Sequence, residues 1–411
     1  MARGRVWGVF IMLVLLAVGG LVDWHESQDV FTGAHGPFPP TFAAGAPLAP
    51  GHVKRRTSHE HALVHGLFLQ DTTSGVRAVN LATGKEYWRY ERRDGNDVSW
   101  GFEVSERTVV VGHADGRLVG IDLRTGRLLW RVEIGEDGYR SVELAGHQVV
   151  TGAPGAVRAF DEQDGHSLWT LKTPQSCPEV LVYSVHALPD HLSAVHVMCN
   201  VASLKLDEHH LLLGVDNRTG KVLWQQRSVD PKQTAWSDGH ILVAPDPDRT
   251  QTIQSLDANR QGISPRATFP LEGWDVVAAG SGTVLAGTDP DDGSADHDTL
   301  LHAYNTLDGR SFWQVRAPAG QEYGLAKIAD GRVYVVRQPF LTETDTGRRI
   351  HADLLVLDAG TGRLLHTLRL PSMTVPDDYD YFVKLDILHI ADGAVSIGWR
   401  DGEGDLLIAT D

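Results

Sequence analysis

The hydrophobic residues of this chain occur in short runs that are separated by polar turns. Val109–Val111 and Leu118–Ile121, for example, flank an Asp115-Gly116 pair, and Asp330-Gly331 and Asp392-Gly393 precede similar runs. Asp-Gly between two apolar runs signals a hairpin, because both residues of a type I′ turn need positive φ. No segment beyond the N-terminus has a sustained helical period. The pattern therefore predicts an all-β fold.

A longer phrase recurs along the chain: a short apolar run, Asp or Asn, a turn that ends in Gly, and Trp four residues later. The phrase is complete five times, with glycines at Gly84, Gly126, Gly165, Gly220 and Gly309 and tryptophans at Trp88, Trp130, Trp169, Trp224 and Trp313. After Gly362 the Trp is replaced by His366, and the unit at Asp257 has Gln261 in place of Gly. The spacing of the landmark Asp or Asn residues runs from 39 (Asp122 to Asp161) to 55 (Asp161 to Asp216). This pitch is typical of four-stranded propeller blades.

Two further positions of the phrase are regular. The landmark Asp or Asn is expected to cap the following turn through its side chain. A small residue stands one position before the last apolar residue of the preceding strand in six units, namely Ala78, Gly120, Ala159, Gly214, Ser255 and Ala303. Val356 and Ile408 are the exceptions. We interpret the small residues as sites where neighbouring backbones approach closely.

The phrase resembles the repeat of quinoprotein-like (PQQ-type) β-propellers over roughly residues 62–411, with Asp164 and Asp308 in place of its Thr in two copies. The resemblance implies that each Trp docks between neighbouring blades and that each repeat Gly serves a turn. The family includes quinone-dependent dehydrogenases, non-catalytic scaffolds such as outer-membrane assembly lipoproteins, and sensor domains. Fold alone therefore does not settle function.

The landmark strands number eight when Leu406–Thr410 is included, so eight blades are predicted, with seven as the alternative. The first unit lacks an opening strand and the last ends without its Thr-Gly and Trp. We therefore expect ring closure to pair sequence from both termini, which removes exposed sheet edges. The propeller is assigned to residues 59–411, and we expect it to be monomeric.

The N-terminus carries Arg3 and Arg5 before an uncharged, mostly apolar segment from Val6 to Val22. Residues 1–22 are predicted to be a signal-anchor, or else a cleaved signal peptide that leaves a secreted protein. The positive-inside bias places the propeller on the extracytoplasmic side of the cell membrane. Residues 23–58, rich in Pro, Gly and Ala, are predicted to form an extended tether.

Cys177 and Cys199 are the two cysteines, and both fall in the long interval between Asp161 and Asp216. A pair of thiols outside the cytoplasm tends to oxidise, so we predict a disulfide between them. Two unpaired thiols are the alternative. The adjacent Cys-Cys pair that the dehydrogenases of the family place at their cofactor is absent.

The candidate chemistry is weak. A net charge of −16 argues against a nucleic-acid partner. The acidic loop Asp289–Asp298 departs from the EF-hand spacing, as do the shorter runs Asp246–Asp248 and Asp377–Asp380. Two histidine groups, at His59, His61 and His65 and at His209 and His210, offer too few placed ligands for zinc. No catalytic or metal residue is assigned, and no cofactor is expected; PQQ with calcium in the propeller channel is the alternative.

The sequence thus favours a membrane-tethered scaffold that binds an envelope or membrane protein, or a small extracellular ligand, without catalysis. The alternative is a PQQ-dependent dehydrogenase, or another enzyme with a site in the channel. The contact elements are expected where the repeat is interrupted, around Cys177–Cys199, Asp257–Asp298 and Arg337–Ile350, because these segments exceed what the repeat needs.

Overall fold

The computed structural model describes residues 29–57, 61–93, 99–135, 141–153, 155–173, 180–199, 209–228, 234–237, 240–243, 252–270, 274–288, 299–341, 345–376, 384–399 and 405–411. Within these residues the regular elements are 36 β-strands, which confirms the all-β prediction. No helix in the described part of the chain could cross a membrane. The predicted anchor at residues 1–22 lies outside the described residues.

The strands form eight antiparallel sheets of four or five strands among the described residues, and we call these sheets blades 1 to 8. Blade 1 contains β1 (Asp29–Thr32), β3 (His61–Val64), β4 (Leu67–Thr72), β5 (Gly75–Asn80) and β6 (Glu86–Arg92), and blade 2 contains β7 (Ser99–Val104), β8 (Thr108–His113), β9 (Arg117–Asp122) and β10 (Leu128–Glu133). Blade 3 contains β11 (Val142–Ala145), β12 (Gln148–Ala153), β13 (Ala156–Asp161) and β14 (Ser167–Lys172). Blade 4 contains β15 (Val180–Leu188), β16 (Leu192–Cys199), β17 (His209–Asp216) and β18 (Val222–Ser228).

Blades 5 to 8 follow the same plan. Blade 5 contains β19 (Thr234–Ser237), β20 (His240–Val243), β21 (Thr252–Asn259) and β22 (Gly262–Pro270), and blade 6 contains β23 (Trp274–Gly280), β24 (Thr283–Thr288), β25 (Leu300–Asn305) and β26 (Ser311–Arg316). Blade 7 contains β27 (Gln321–Tyr323), β28 (Lys327–Ala329), β29 (Arg332–Pro339), β31 (Asp353–Asp358) and β32 (Leu364–Arg369). Blade 8 contains β34 (Leu385–Ala391), β35 (Ala394–Trp399), β36 (Asp405–Thr410) and β2 (His52–Thr57). A two-stranded ribbon of β30 (Arg349–Ile350) and β33 (Met373–Thr374) adjoins blade 7.

The blades form a closed ring. The first strands of most successive blades contact one another (β7 with β11, β11 with β15, β19 with β23, β23 with β28, β28 with β34, and β34 with β3), while β4 contacts β7 between blades 1 and 2 and β18 contacts β22 between blades 4 and 5. We call β3, β7, β11, β15, β19, β23, β28 and β34 the inner strands. The apolar core lies between neighbouring blades, as in the cluster that joins blades 1 and 2 and the cluster that joins blades 7 and 8. Each full burial of a Val or Leu side chain in such a core stabilises the fold by about 1.5–3 kcal/mol.

Backbone hydrogen bonds define two faces of the ring. On one face the repeat turn of each blade meets the turn between its first two long strands, as where Leu81 N donates to Gly66 O and Ala359 N donates to Gly331 O. On the opposite face the other connections meet, as where Arg92 N donates to Ser74 O. We call these the turn face and the loop face. Because antiparallel strands alternate in direction, every connection between blades lies on the loop face.

Most of the predicted tether is part of the propeller. β1 pairs with β6 at the outer edge of blade 1, and β2 pairs with β36 as the outer strand of blade 8. Residues 29–57, assigned to the tether from the sequence, therefore contribute two strands to the propeller, and its predicted start at residue 59 was wrong. Local pattern could not predict this, because the partner of β2 lies about 350 residues further along the chain. Pairing of the two termini agrees with the expected mode of ring closure.

Residues 33–51, which we call the strap, run over the turn face between β1 and β2. The Ala46 N–H donates to the Asp330 carboxylate (2.7 Å), and the Leu48 and Ala49 N–H groups donate to the Asp411 carboxylate (3.0 and 2.8 Å). The strap thereby links blades 1, 7 and 8. Its proline-rich composition suits an extended chain whose backbone groups bond to side chains and to turn backbone of the propeller, as where His35 N donates to Tyr87 O, rather than to a sheet partner.

Candidate functional site

The repeat tryptophans lie between blades. Trp88, Trp130, Trp169 and Trp313 are buried, and Trp224 is half-buried. The indole N–H of Trp88 donates to Leu123 O (2.7 Å) of the next blade. The same bond joins Trp130 to Glu162 O (2.8 Å), Trp224 to Asn259 O (2.8 Å) and Trp313 to Ala359 O (2.8 Å).

Four of the six repeat glycines, Gly126, Gly165, Gly220 and Gly362, lie against the Trp of the preceding blade. The six glycines all have φ between 65° and 72°, and each N–H donates to the carbonyl of the landmark Asp or Asn. A Cβ at Gly126 would lie 2.5 Å from Trp88, and one at Gly165 would lie 2.7 Å from Trp130. Only glycine therefore meets both requirements at these positions, positive φ and room for the indole of the preceding blade. The expected side-chain capping is also present, as where Asp122 Oδ1 accepts from Thr125 N (2.8 Å).

The small residues of the repeat have a different cause from the one predicted. Ala78, Ala159 and Ala303 pair directly with Trp88, Trp169 and Trp313 of the adjacent strand, and the glycines at 120 and 214 pair with Trp130 and Trp224. The indole of Trp130 covers the place of a Gly120 side chain. The exceptions, Val356 and Ile408, pair with His366 and Lys54 instead. Small size makes room for the Trp, not for a neighbouring backbone.

The closing blade uses cations where five of the other blades use Trp. Lys54 Nζ donates to Leu81 O (3.0 Å) and Ala82 O (2.5 Å), so it reaches the carbonyl that an indole would reach in the other seams. Arg56 lies against Gly84. In blade 7, His366 Nε2 lies 2.9 Å from Pro50 O of the strap. The repeat pattern could not reveal these substitutes, because Lys54 and Pro50 precede the first repeat.

A group of polar side chains lies on the inner strands of blades 7, 8 and 1. His61 Nε2 and Ser396 Oγ are 2.9 Å apart, and the rings of His61 and His389 are 4.8 Å apart between centroids. Burial lowers the pKa of His61 to about 4 and that of His389 to about 3, with Lys327 adding to both effects. Lys327 lies on β28, where the surrounding protein lowers its pKa while Asp386 opposes the shift.

A second group of titratable side chains, Glu103, Glu143 and His186, lies on the inner strands of blades 2 to 4. Burial first, and the neighbouring Glu103 second, raise the pKa of Glu143 to about 8, although Val185 N–H donates to its carboxylate. Burial also lowers the pKa of His186 to about 4. At neutral pH the Glu143 carboxyl is therefore largely protonated and His186 is neutral. No feature of the repeat predicted this group, because the inner strands carry no fixed motif.

The repeat tryptophans do not offer the stacking ring that a quinone site of this family needs together with basic groups for the quinone carboxylates. The five repeat tryptophans lie between blades, and Trp399 is buried in the core between blades 7 and 8. Trp100, Trp236 and Trp274 lie on the inner strands β7, β19 and β23. Burial lowers the pKa of His61 to about 4 and that of His389 to about 3, so these two rings are neutral at pH 7 and offer no charge to a carboxylate. We derive no step through a quinone.

The remaining candidates of the sequence are separated or fall outside the described residues. His61 lies in β3 and His65 in the turn that follows it, whereas residue 59 is not described. His210 packs near Tyr183 in blade 4, with ring centroids 6.0 Å apart. Cys199 ends β16, but Cys177 is not described, so the disulfide stays a prediction. Residues 246–248, 289–298 and 377–380 are likewise not described.

Two surface features complete the described candidates. Asp161, Asp164 and His166 could approach one cation, but Asp164 and His166 are exposed and already bonded to each other in a repeat turn, so we assign no site. On the loop face the β30–β33 ribbon continues blade 7. Its two strands bury one side chain each, Ile350 and Met373, in the core between blades 7 and 8. Arg349 and His351 are exposed on this ribbon segment. β30 ends the predicted interruption Arg337–Ile350, of which residues 337–341 and 345–350 are described.

Comparison with known proteins decides the family. A profile described as outer membrane protein assembly factor BamB matches residues 72–236 and 208–376. The chain belongs to this family of PQQ-type repeat propellers. The crystal structure of BamB from Moraxella catarrhalis shares the fold, with a TM-score of 0.54 and 15% identity over 89% of this chain and 100% of that chain.

Relatives of both functional kinds occur in the family. A BamB of Nitrosomonas eutropha is 34% identical over 168 residues, which are 41% of this chain and 37% of the relative. The dehydrogenase subunit of a quinone alcohol dehydrogenase of Gluconacetobacter polyoxogenes is 32% identical over 142 residues, or 27% of this chain and 19% of the relative. The chain thus spans less than two fifths of either relative. Similarity supports the fold and leaves scaffold and dehydrogenase both to be tested.

Proposed function

We propose that this chain is a membrane-tethered, extracytoplasmic scaffold that binds an envelope or membrane protein through its loop face. One observation carries the proposal: the two faces of the ring differ. The turn face holds the repeat turns and is crossed by the strap, whereas the long departures from the repeat join strands at the loop face. Such loops on a rigid scaffold are where binding function concentrates.

The chemistry of the described channel supports binding over catalysis. Two of its titratable groups, His61 and Glu143, are held largely neutral at pH 7. The name of the Nitrosomonas relative, an outer membrane assembly factor, supports a role in protein binding. The names of the quinone dehydrogenases support the competing enzyme reading to a similar degree.

Photo-crosslinking from matched positions in blade 7 tests the scaffold. A photoreactive residue at His351 lies on the loop face, and one at Arg363 lies in the repeat turn of the same blade; both positions are exposed. In intact cells we expect His351 to give a discrete adduct with another protein at several times the yield of Arg363. Equal yields, or adducts from Arg363 alone, would contradict the proposal.

Addition of PQQ with calcium to the purified chain tests the enzyme reading. The scaffold account predicts no change in melting temperature, no quinone absorbance after desalting, and no alcohol-dependent reduction of an artificial electron acceptor. Alcohol turnover by the reconstituted chain would show that it is a dehydrogenase and would contradict the scaffold proposal.

A further inference from the structure

The chain enters the propeller at a fixed point on the loop face. β1 begins at Asp29, which pairs with Arg92 at the loop-face end of β6. The Asp29 carboxylate is 2% exposed; Arg131 Nε lies 2.8 Å from one oxygen, and the Tyr90 hydroxyl donates to the other at 3.3 Å. This ion pair and the Tyr90 hydrogen bond fix this end of the strand, because separation would leave the buried Asp29 carboxylate unpaired.

The chain between this point and the apolar segment is short. Residues 23–28 separate Val22 from Asp29, so a fully extended chain spans about 25 Å between those two residues. A six-residue strand such as β5, which runs from the loop face to the turn face, covers about 20 Å. To place the turn face of blade 1 against the membrane, this connection would have to run back across the whole blade, which needs nearly its full extended length.

We propose that the loop-face rim of blades 1 and 2 is held against the surface of the membrane that contains residues 6–22, with the turn face directed away. The inference rests on the membrane tether of the proposed function. It deepens that function, because it places the contact loops where a membrane-embedded partner presents its surface. A free spacer of 36 residues would impose no such orientation.

Energy transfer from two positions of blade 1 to acceptor-labelled lipids tests this orientation. The full chain, reconstituted in vesicles, carries a donor dye through an unnatural amino acid at Thr73 or at Lys85, so that both native cysteines stay unchanged. Thr73 is exposed in the loop-face turn and Lys85 in the turn-face turn of the same blade. We expect markedly stronger transfer from Thr73, because about 20 Å of strand separates the two positions.

A linker variant supplies the control. Insertion of twenty Gly and Ser residues before Asp29 should bring the two transfer efficiencies together, because the flexible chain then reaches either face. Equal transfer in the unmodified chain, or stronger transfer from Lys85, would overturn the orientation while the vesicle-bound protein still supports the tether. Protein that stays in the soluble fraction would overturn the tether and the orientation together.

Discussion

At the scale of single residues, the repeat Trp performs two tasks that can be separated. It fills the space between blades, and it donates a hydrogen bond to the next turn. Trp169 performs only the first: among the described residues its N–H has no acceptor, and the Asn217 carbonyl that it would reach accepts from Gln148 Nε2 at 2.9 Å. Trp130 performs both.

Replacement by Phe should distinguish these tasks. Trp130→Phe removes the indole donor and leaves Glu162 O without it, whereas Trp169→Phe loses a donor that has no described partner. Both variants lose similar ring volume. We therefore expect Trp130→Phe to lower the free energy of unfolding by about 1 kcal/mol more than Trp169→Phe. Denaturant melts of the two variants measure this difference, and equal losses would show that the hydrogen bond contributes nothing.

Glu143 should make stability depend on pH. Its pKa rises from about 4.5 in the unfolded chain to about 8 in the fold, so the unfolded state releases its proton first as pH rises. Its contribution to stability is therefore complete below pH 4.5 and is lost as pH rises toward 8. Glu143→Gln should remove this loss, so the stability of the variant relative to wild type should grow between pH 5 and pH 8. A pH-independent difference in unfolding free energy would contradict the assignment.

At the scale of elements, closure of the ring depends on sequence that precedes the first repeat. β2 supplies the outer strand of blade 8, Lys54 supplies the bond to blade 1, and the strap connects Asp330 and Asp411. The seam between blades 8 and 1 thus replaces one indole by two long cationic side chains. Cations suit a seam that is closed by a separate strand, because they reach carbonyl groups without needing a paired small residue.

Removal of residues 1–57 should therefore open the ring. The loss of β2 exposes the edge of β36 and leaves the Leu81 and Ala82 carbonyls without Lys54. We expect a cost on the order of 5 kcal/mol or more, or failure to fold. Removal of residues 1–28 is the matched control and should leave the melting temperature of the propeller unchanged. Equal stability of the two truncated chains would return residues 29–57 to the role of a tether.

The predicted disulfide belongs to blade 4. A bond between Cys177 and Cys199 closes a loop of about 22 residues, for which loss of the cross-link costs about 3 kcal/mol. Protein purified from the envelope should resist alkylation until it is reduced, as measured by intact mass. Two alkylated thiols in the unreduced native protein would contradict the bond.

At the scale of the whole molecule, local sequence predicted what is determined locally. Each repeat turn is determined by residues of a single hairpin, such as Asp122 and Gly126. Their pattern is therefore visible in the sequence, and it predicts the all-β propeller fold. Contacts between distant residues, such as Lys54 with Leu81 and His366 with Pro50, carried no motif. The channel groups Lys327 and Glu143 were missed for the same reason: their environments depend on several blades that meet at the ring axis.

We propose that partners bind the loop face and that the turn face holds the ring together. Hydrogen–deuterium exchange of the chain in native membranes, compared with the purified chain, distinguishes the two faces. We expect slower exchange in the membranes for loop-face segments, including residues 340–352, and unchanged exchange for the repeat turns around Gly126 and Gly362. Protection confined to the repeat turns, or identical exchange in both states, would contradict it.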